Sequence, residues 1–236
     1  MIFNIISIFP EAFESYFDVS IIKRAQEKKL IKIKFFNPRD FAADKHKIVD
    51  DKPYGGGPGM VMKAEPILKA MSAALSKSKI KSKIILLSPR GKQFTQKMAR
   101  GWAEKYKNII LICGHYEGVD ERVKKITAAE KVSIGSYILT GGEIPAMVVV
   151  DAVSRHIPGV LGKKESLEEN RLSNIRDISC QKADKVAFKS FPAYTRPEIL
   201  KWKGRKYRVP KVLLSGDHKK IESFRTIGEL RTSTQS

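Results

Sequence analysis

This chain is short of cysteine, histidine and acidic side chains, and each shortage narrows what it can be. Its two cysteines, Cys113 and Cys180, cannot build a disulfide framework and lack the paired spacing of a zinc site. Cys113 ends an apolar run, where a buried, inert thiol is expected. The four histidines show no convergent metal spacing, so no metal site is read here. No stretch approaches the ~18 apolar residues of a membrane span, and no basic segment followed by an apolar core opens the chain. A cytoplasmic protein without membrane attachment is expected. A G-x-G-x-x-G after the first strand-like run and a G-x-x-x-x-G-K-[ST] are both missing, which excludes dinucleotide-fold and P-loop readings.

The acidic deficit is the largest of these. Lys and Arg number 45 against 25 Asp and Glu, for a net charge of +20. Such an excess points to a polyanionic partner and says little about fold. It is also uneven, because the part from Lys163 onward carries 18 basic and 9 acidic residues, nearly twice the charge density of what precedes it. A hydrophobic content of 42% is ordinary for a protein with a real core. With 236 residues the chain has room for one large domain, or one domain and a small second one.

Strand-like runs alternate with helical spacings. Strands are predicted over 2–9, 30–36, 83–87, 108–113 and 131–134, and helices over 13–28, 62–75, 92–107, 119–129 and 144–156. That alternation predicts an α/β fold, a mostly parallel sheet with helices on both faces. Ligands in such sheets sit outside the carboxyl ends of the strands, where the turns at 88–91, 114–118 and 135–142 would lie. Periodicity lapses after Gly162. The predicted division is a catalytic domain over 1–162, a polar linker or active-site loop over 163–190, and a small basic, mainly helical domain over 191–236. In that last part Thr195-Arg196-Pro197 reads as a helix start. A final helix over 213–225 has Ser215 and Asp217 as candidate caps.

Against this background one run stands out: Ile134-Gly135-Ser136-Tyr137-Ile138-Leu139, then Thr140-Gly141-Gly142 and an apolar helical pattern containing Pro145. Glycine permits positive φ and close approach of main chain to a ligand. Three glycines within eight residues, beside Ile, Tyr and Leu, suit a pocket that grips a flat heterocycle. Taken alone, the run is better read as an ordinary strand-turn-helix corner. Two further segments change the balance: Gly114-His115-Tyr116-Glu117-Gly118 after a strand, and Pro53-Tyr54-Gly55-Gly56-Gly57-Pro58-Gly59-Met60 after Asp50-Asp51. Together with Ile5-Ile6-Ser7-Ile8-Phe9-Pro10, Pro192-Ala193-Tyr194-Thr195-Arg196-Pro197 and Val212-Leu213-Leu214-Ser215-Gly216-Asp217-His218, they run in order along nearly the whole chain. In these motifs the chain resembles the bacterial tRNA (guanine-N1)-methyltransferase family, knotted SPOUT-type enzymes that methylate the guanosine 3′ to the anticodon with S-adenosylmethionine.

The resemblance implies a deep trefoil knot, which no general argument suggests because true knots are nearly absent from proteins. It implies a homodimer with the active site at the subunit interface, and magnesium as a helper ion without a readable ligand set. On the positions that match, Gly114, Ile134, Gly135, Ser136, Tyr137, Ile138 and Leu139 would hold the adenosylmethionine. Pro89, Tyr116, Glu117, Gly118, Gly141 and Pro145 would line the same pocket. Glu117 is either a contact to the ribose hydroxyls or an exposed loop carboxylate.

Methylating guanine N1 needs the methyl group in line with N1, a base for the N1 proton, and donors for charge developing on O6. Arg155, in Asp151-Ala152-Val153-Ser154-Arg155, occupies the family's functional arginine position, and its planar fork suits O6 or a phosphate. The base is where this chain departs. Where the family has an aspartate, an ungapped alignment sets Asn170, which cannot accept a proton as a general base. Glu169 is the preferred replacement and Glu168 the second, both on the polar segment.

RNA contacts are expected from Asp51, Tyr54, Gly55 and Gly57 in the glycine loop, and from Lys201, Trp202, Lys203, Arg205, Lys206 and Arg208 downstream. Basic groups neutralise phosphates, and the interleaved aromatics Trp202 and Tyr207 can stack unpaired bases. An exposed hairpin kept soluble by lysines would look the same in sequence. Two other functions stay open: an RNA-binding protein that keeps the cofactor pocket but has lost catalysis, favoured by Asn170, and a related knotted methyltransferase with another RNA target.

Overall fold

The computed structural model describes residues 1–75, 81–162 and 193–227. The chain separates into two compact units, Met1–Leu167 and Glu168–Ser236. The first is built on strands β1 (Ile2–Ile6), β2 (Lys32–Phe36), β5 (Ser82–Gln93), β6 (Asn108–Cys113) and β7 (Glu130–Ser133). These form one parallel sheet in the order β2-β1-β6-β5-β7. A two-stranded antiparallel ribbon, β3 (Asp50–Asp51) and β4 (Val61–Met62), frames the base of the first glycine loop.

The central strand explains itself. Asn108-Ile109-Ile110-Leu111-Ile112-Cys113 is buried at every position, as a parallel strand covered on both faces must be. Alternation sends Phe3, Ile5, Ile85, Leu87, Ile109 and Leu111 into one core layer and Ile6, Leu86, Ile110 and Ile112 into the other. Helices α4 (Gln96–Lys105) and α6 (Glu143–Ser154) cover the first layer through Ala99, Trp102, Val149, Val150 and Val153. Helices α3 (Ala64–Leu75) and α5 (Glu121–Thr127) cover the second through Ile67, Ala70 and Val123.

Three predicted elements of the first unit differ. The helix predicted over 13–28 is split into α1 (Glu14–Phe17) and α2 (Ser20–Glu27), with Val19 extended and Ser20 at φ +51°. The break re-aims the segment so that Phe13, Phe17 and Ile22 all enter one core layer. Strand β5 continues past the predicted end at Leu87, and Leu87 and Lys92 both pair with Val132 on either side of an irregularity. Gly91 makes this possible, since a Cβ there would lie 2.3 Å from the Val132 nitrogen. The helix predicted from residue 92 therefore starts at Gln96, where the Thr95 hydroxyl accepts from the Met98 amide at 3.3 Å.

In the second unit Thr195-Arg196-Pro197 opens no helix. The chain instead enters a hairpin, Ile199–Trp202 paired with Arg205–Arg208. Its two-residue turn, Lys203-Gly204, has both residues at positive φ, the twist that tight hairpins need. Alternation of Leu200 and Trp202 with lysines, followed by this turn, outweighs the helix-starting tendency of proline. The single helix predicted over 213–225 is two, Lys211–Leu214 and His218–Ile227, parted at Gly216 with φ +70°. Asp217 does cap the second, accepting from the Lys220 amide at 3.1 Å. The described part of this unit thus holds a hairpin as well as helices.

Candidate functional site: a glycine-lined cleft

The irregular stretch of β5 past Leu87 and the loops after β6 and β7 surround a cleft of about 530 Å³ at the carboxyl edge of the sheet. Pro89 comes from the first of these segments, and Gly114, Tyr116, Glu117 and Gly118 from the second. Ile134, Tyr137, Ile138, Leu139 and Gly141 come from the third, with Pro145 from the first turn of α6. The structure therefore brings together eleven of the thirteen residues expected at the cofactor. Gly135 and Ser136 do not line the cleft. Gly135 lies beneath the Tyr137 ring, where a Cβ would come within 2.3 Å of it, and Ser136 points to solvent. The rim is apolar and uncovered, with Ile138 84% and Tyr137 55% exposed.

The glycines act here by absence of bulk. Gly135, Gly141 and Gly142 have no positive φ. A Cβ on Gly142 would lie 2.6 Å from Cys113 Cα, and one on Gly141 2.3 Å from His115 Nε2 and 2.5 Å from a Glu143 oxygen. The second and third loops are thereby laid flat on each other, with the Gly142 amide donating to the Gly114 carbonyl at 2.9 Å and His115 bridging Gly141.

Beneath them lies a polar cluster that sequence reasoning missed. Glu143 is buried, accepting from the Ser7 hydroxyl at 2.5 Å and facing His115 Nε2 at 2.7 Å. Its carboxylate begins α6, where the helix dipole favours negative charge. The edge of Phe9 closes over His115, with ring centroids 5.1 Å apart. Burial, and then the Glu143 carboxylate, push the Cys113 thiol well above its usual range, which leaves it the inert core residue expected. The signal that could have found Glu143 was an acidic residue directly after Gly141-Gly142 at a helix start.

The 53–60 loop joins the cleft from the side. Gly55, Gly56, Gly57 and Gly59 all have positive φ, and Tyr54 is fully exposed. The Glu117 amide donates to the Met60 carbonyl at 3.0 Å, and Gly59 rests on the Glu117 side chain. Asp51, at the loop's base, faces Lys63 at 3.6 Å. Glu117 is thus an exposed cleft carboxylate with the glycine loop against it.

Arg155 is elsewhere in the chain. It caps α6 at the end away from Pro145, about 15 Å along the helix axis. There it lines a second concavity of about 430 Å³ with Asp151, Tyr16, Val19 and Leu161. The Tyr16 hydroxyl is raised above its usual range, first by burial and then by the Asp151 carboxylate. One chain by itself does not bring Arg155 to the cleft. Glu168, Glu169 and Asn170 lie outside the described residues. Lys201, Trp202, Lys203, Arg205, Lys206 and Arg208 are exposed on and around the hairpin of the second unit. Among the described residues no three His, Cys, Asp or Glu side chains converge to hold a metal, and no helix is long and apolar enough to cross a membrane.

The family profile described as tRNA (Guanine-1)-methyltransferase TrmD matches residues 1–236. A tRNA (guanine-N(1)-)-methyltransferase of Dictyoglomus turgidum is 52% identical over 222 residues, 94% of this chain and 82% of that protein. One of Carboxydothermus hydrogenoformans is 50% identical over 222 residues, 94% of this chain and 80% of that protein. One of Clostridioides difficile is 44% identical over 236 residues, all of this chain and 95% of that protein. A cleft on glycine loops at the carboxyl edge of a parallel sheet, in a chain matched from end to end, leaves one assignment: it belongs to the tRNA (guanine-N1)-methyltransferase family.

Proposed function

We propose that this chain transfers a methyl group from S-adenosylmethionine to N1 of the guanosine 3′ to the anticodon of tRNA. The observation that carries the reading is the meeting of eleven expected cofactor residues in one cleft, in a member of this family. The cleft fits the donor. Its volume is in the range of small-molecule sites, and its walls combine apolar side chains with main chain brought close by glycine. Bound there, the donor supplies an activated methyl group on its sulfonium. Ile138, Leu139 and Pro145 would cover the faces of the flat adenine ring, and Glu117 would accept from ribose hydroxyls. The His115–Glu143 pair fixes the floor on which these loops rest.

The second half of the site requires more than one chain. The exposed Ile144 and Val148 on α6, with Tyr16 and Val19 lining the second concavity, offer apolar surface suited to a second copy. In such a homodimer Arg155 of one subunit would reach the cleft of the other and face guanine O6. The trefoil knot of the family belongs to the same reading. Glu169 would take the N1 proton, with Glu168 the alternative, and magnesium would assist. The 1–162, 163–190 and 191–236 division, a cytoplasmic location and RNA contacts from Asp51, Tyr54, Gly55, Gly57 and the 201–208 segment belong to the same reading. Asn170 favours one competitor, an RNA-binding protein with impaired catalysis.

Methyl transfer to transcribed tRNA with guanosine or adenosine at the target position, followed by nuclease mapping, decides among these. Labelled N1-methylguanosine only in the guanosine transcript is expected. No transfer, or transfer elsewhere, overturns the proposal. Glu169→Gln should then lower the rate by about 10²–10⁴-fold, with Asn170→Ala costing much less. Full activity in Glu169→Gln, Glu168→Gln and the double variant removes both glutamates as the base.

A further inference from the structure

The hairpin of the second unit sorts its side chains by chemistry. Its register sets Leu200 opposite Tyr207 and Trp202 opposite Arg205, and these four share one face. Ile199, Lys201, Lys206 and Arg208 share the other. On the first face Leu200 is 52%, Trp202 62% and Tyr207 51% exposed. Trp202 and Tyr207 stand on a cross-strand diagonal, and among the described residues neither ring meets another ring. Trp102, by contrast, is buried against Phe94. From Ile199 to Gly216 there is no acidic residue, while Lys201, Lys203, Arg205, Lys206, Arg208 and Lys211 are basic. Two flat, unpaired rings inside a purely cationic collar complement a polyanion that also offers flat faces, and single-stranded nucleic acid is such a ligand.

We propose that the hairpin is a wedge held on both sides by a looped RNA: unpaired bases stack on the Trp202–Tyr207 face with Arg205 at its corner, and Lys201, Lys206 and Arg208 neutralise phosphates on the opposite face. This rests on the tRNA methyltransferase reading and adds to it the mode of recognition and the side on which each mode acts. The two faces make different thermodynamic claims. Stacking is insensitive to salt, whereas phosphate neutralisation releases counterions.

The test uses the full chain and transcribed tRNA, titrated over a salt series. Trp202→Ala with Tyr207→Ala should raise Kd about tenfold or more at every salt concentration and leave the slope of log Kd against log salt unchanged. Trp202→Phe should recover most of the affinity. Lys201→Ala, Lys206→Ala and Arg208→Ala together should reduce that slope by about two units, at ~0.7 per single-strand phosphate contact. Added tRNA should quench tryptophan emission in the wild type but not in Trp202→Phe, where only the buried Trp102 remains. Unchanged Kd in the aromatic variant, or equal slope changes in both sets, overturns the proposal. So does a change in sedimentation mass of the aromatic variant without RNA, which makes the face a protein contact. Wild-type methyl transfer to the same tRNA is measured alongside. If transfer fails, the function is wrong; if transfer holds and the aromatic variant binds normally, only the wedge is wrong.

Discussion

Two glycine-rich regions flank the cleft, and they need glycine for opposite reasons. In the 53–60 loop Gly55, Gly56 and Gly57 have positive φ, and a Cβ on any of them would meet nothing within 4 Å. In the 134–142 run Gly135, Gly141 and Gly142 have ordinary backbone, yet a Cβ would collide at 2.3–2.6 Å. Except at Gly59, where a Cβ would meet the Glu117 side chain at 2.7 Å, the first region demands conformation and has space to spare. The second demands space and has no unusual conformation. The same letter in the sequence therefore marks a left-handed loop in one place and a close-packed floor in the other, so the two should fail differently when substituted.

The largest effect is expected at Gly142. A Cβ there meets Cys113 Cα at 2.6 Å and the Gly114 nitrogen at 2.9 Å, and main chain yields little. Gly142→Ala should lose about 3 kcal/mol or more of stability in urea and bind S-adenosylmethionine poorly. A wild-type unfolding midpoint would remove the close-packed floor. Gly141→Ala comes next, because its clash is with the His115 and Glu143 side chains, which can shift. About 1–3 kcal/mol and a clear loss of donor affinity are expected by melting and calorimetry. The two changes are inseparable here, since the glycine protects a buried pair as well as the ligand wall. Adding His115→Ala should make the double variant less unstable than the sum of the singles. Strict additivity would show that the two residues do not press on each other.

A smaller effect is expected at Gly57, with φ +119° and open surroundings. Gly57→Ala should lose about 1 kcal/mol through backbone strain, keep wild-type donor affinity and slow methylation of tRNA. Reduced donor affinity in this variant would erase the distinction between the regions. The smallest effect belongs to Asp120, which caps α5 just past the second cleft loop. Its bond with Arg122 holds the carboxyl below its ordinary range. A depressed carboxyl contributes stability above the unfolded value near ~3.9, and that contribution fades as pH falls through the lower folded value. Asp120→Asn should therefore lower stability slightly near neutrality, converge with the wild type as pH falls below about 4, and so flatten the acid limb. An unaltered acid limb would show the pair to be solvated surface.

Legibility followed the same division. Apolar runs such as Ile109-Ile110-Leu111-Ile112 announce a buried parallel strand, because period and composition suffice, and the alternation of runs announces the sheet. The failures have local causes. Ser20 takes a left-handed backbone that no propensity favours, and Leu87 and Lys92 share one partner because Gly91 vanishes against Val132. Proline at 197 looked like a helix start because pairing with Arg205–Arg208 is not visible from one strand alone. His115 and Glu143 are 28 residues apart, and nothing in the short motifs around them says that they pair. Their meeting depends on β6 and α6 being laid side by side by glycines.

What the residues alone determined was the class of fold, the basic excess that suits a polyanion, and the glycine-bearing turns at the carboxyl ends of the strands. Each depends on composition or on neighbours a few positions away. Only tertiary structure decided that eleven of those residues face one cleft, that Gly141 and Gly142 are needed for room rather than for backbone freedom, and that Arg155 stands at the far end of α6. Those outcomes depend on which segments are brought within van der Waals contact across the sheet, and that follows from strand order and packing.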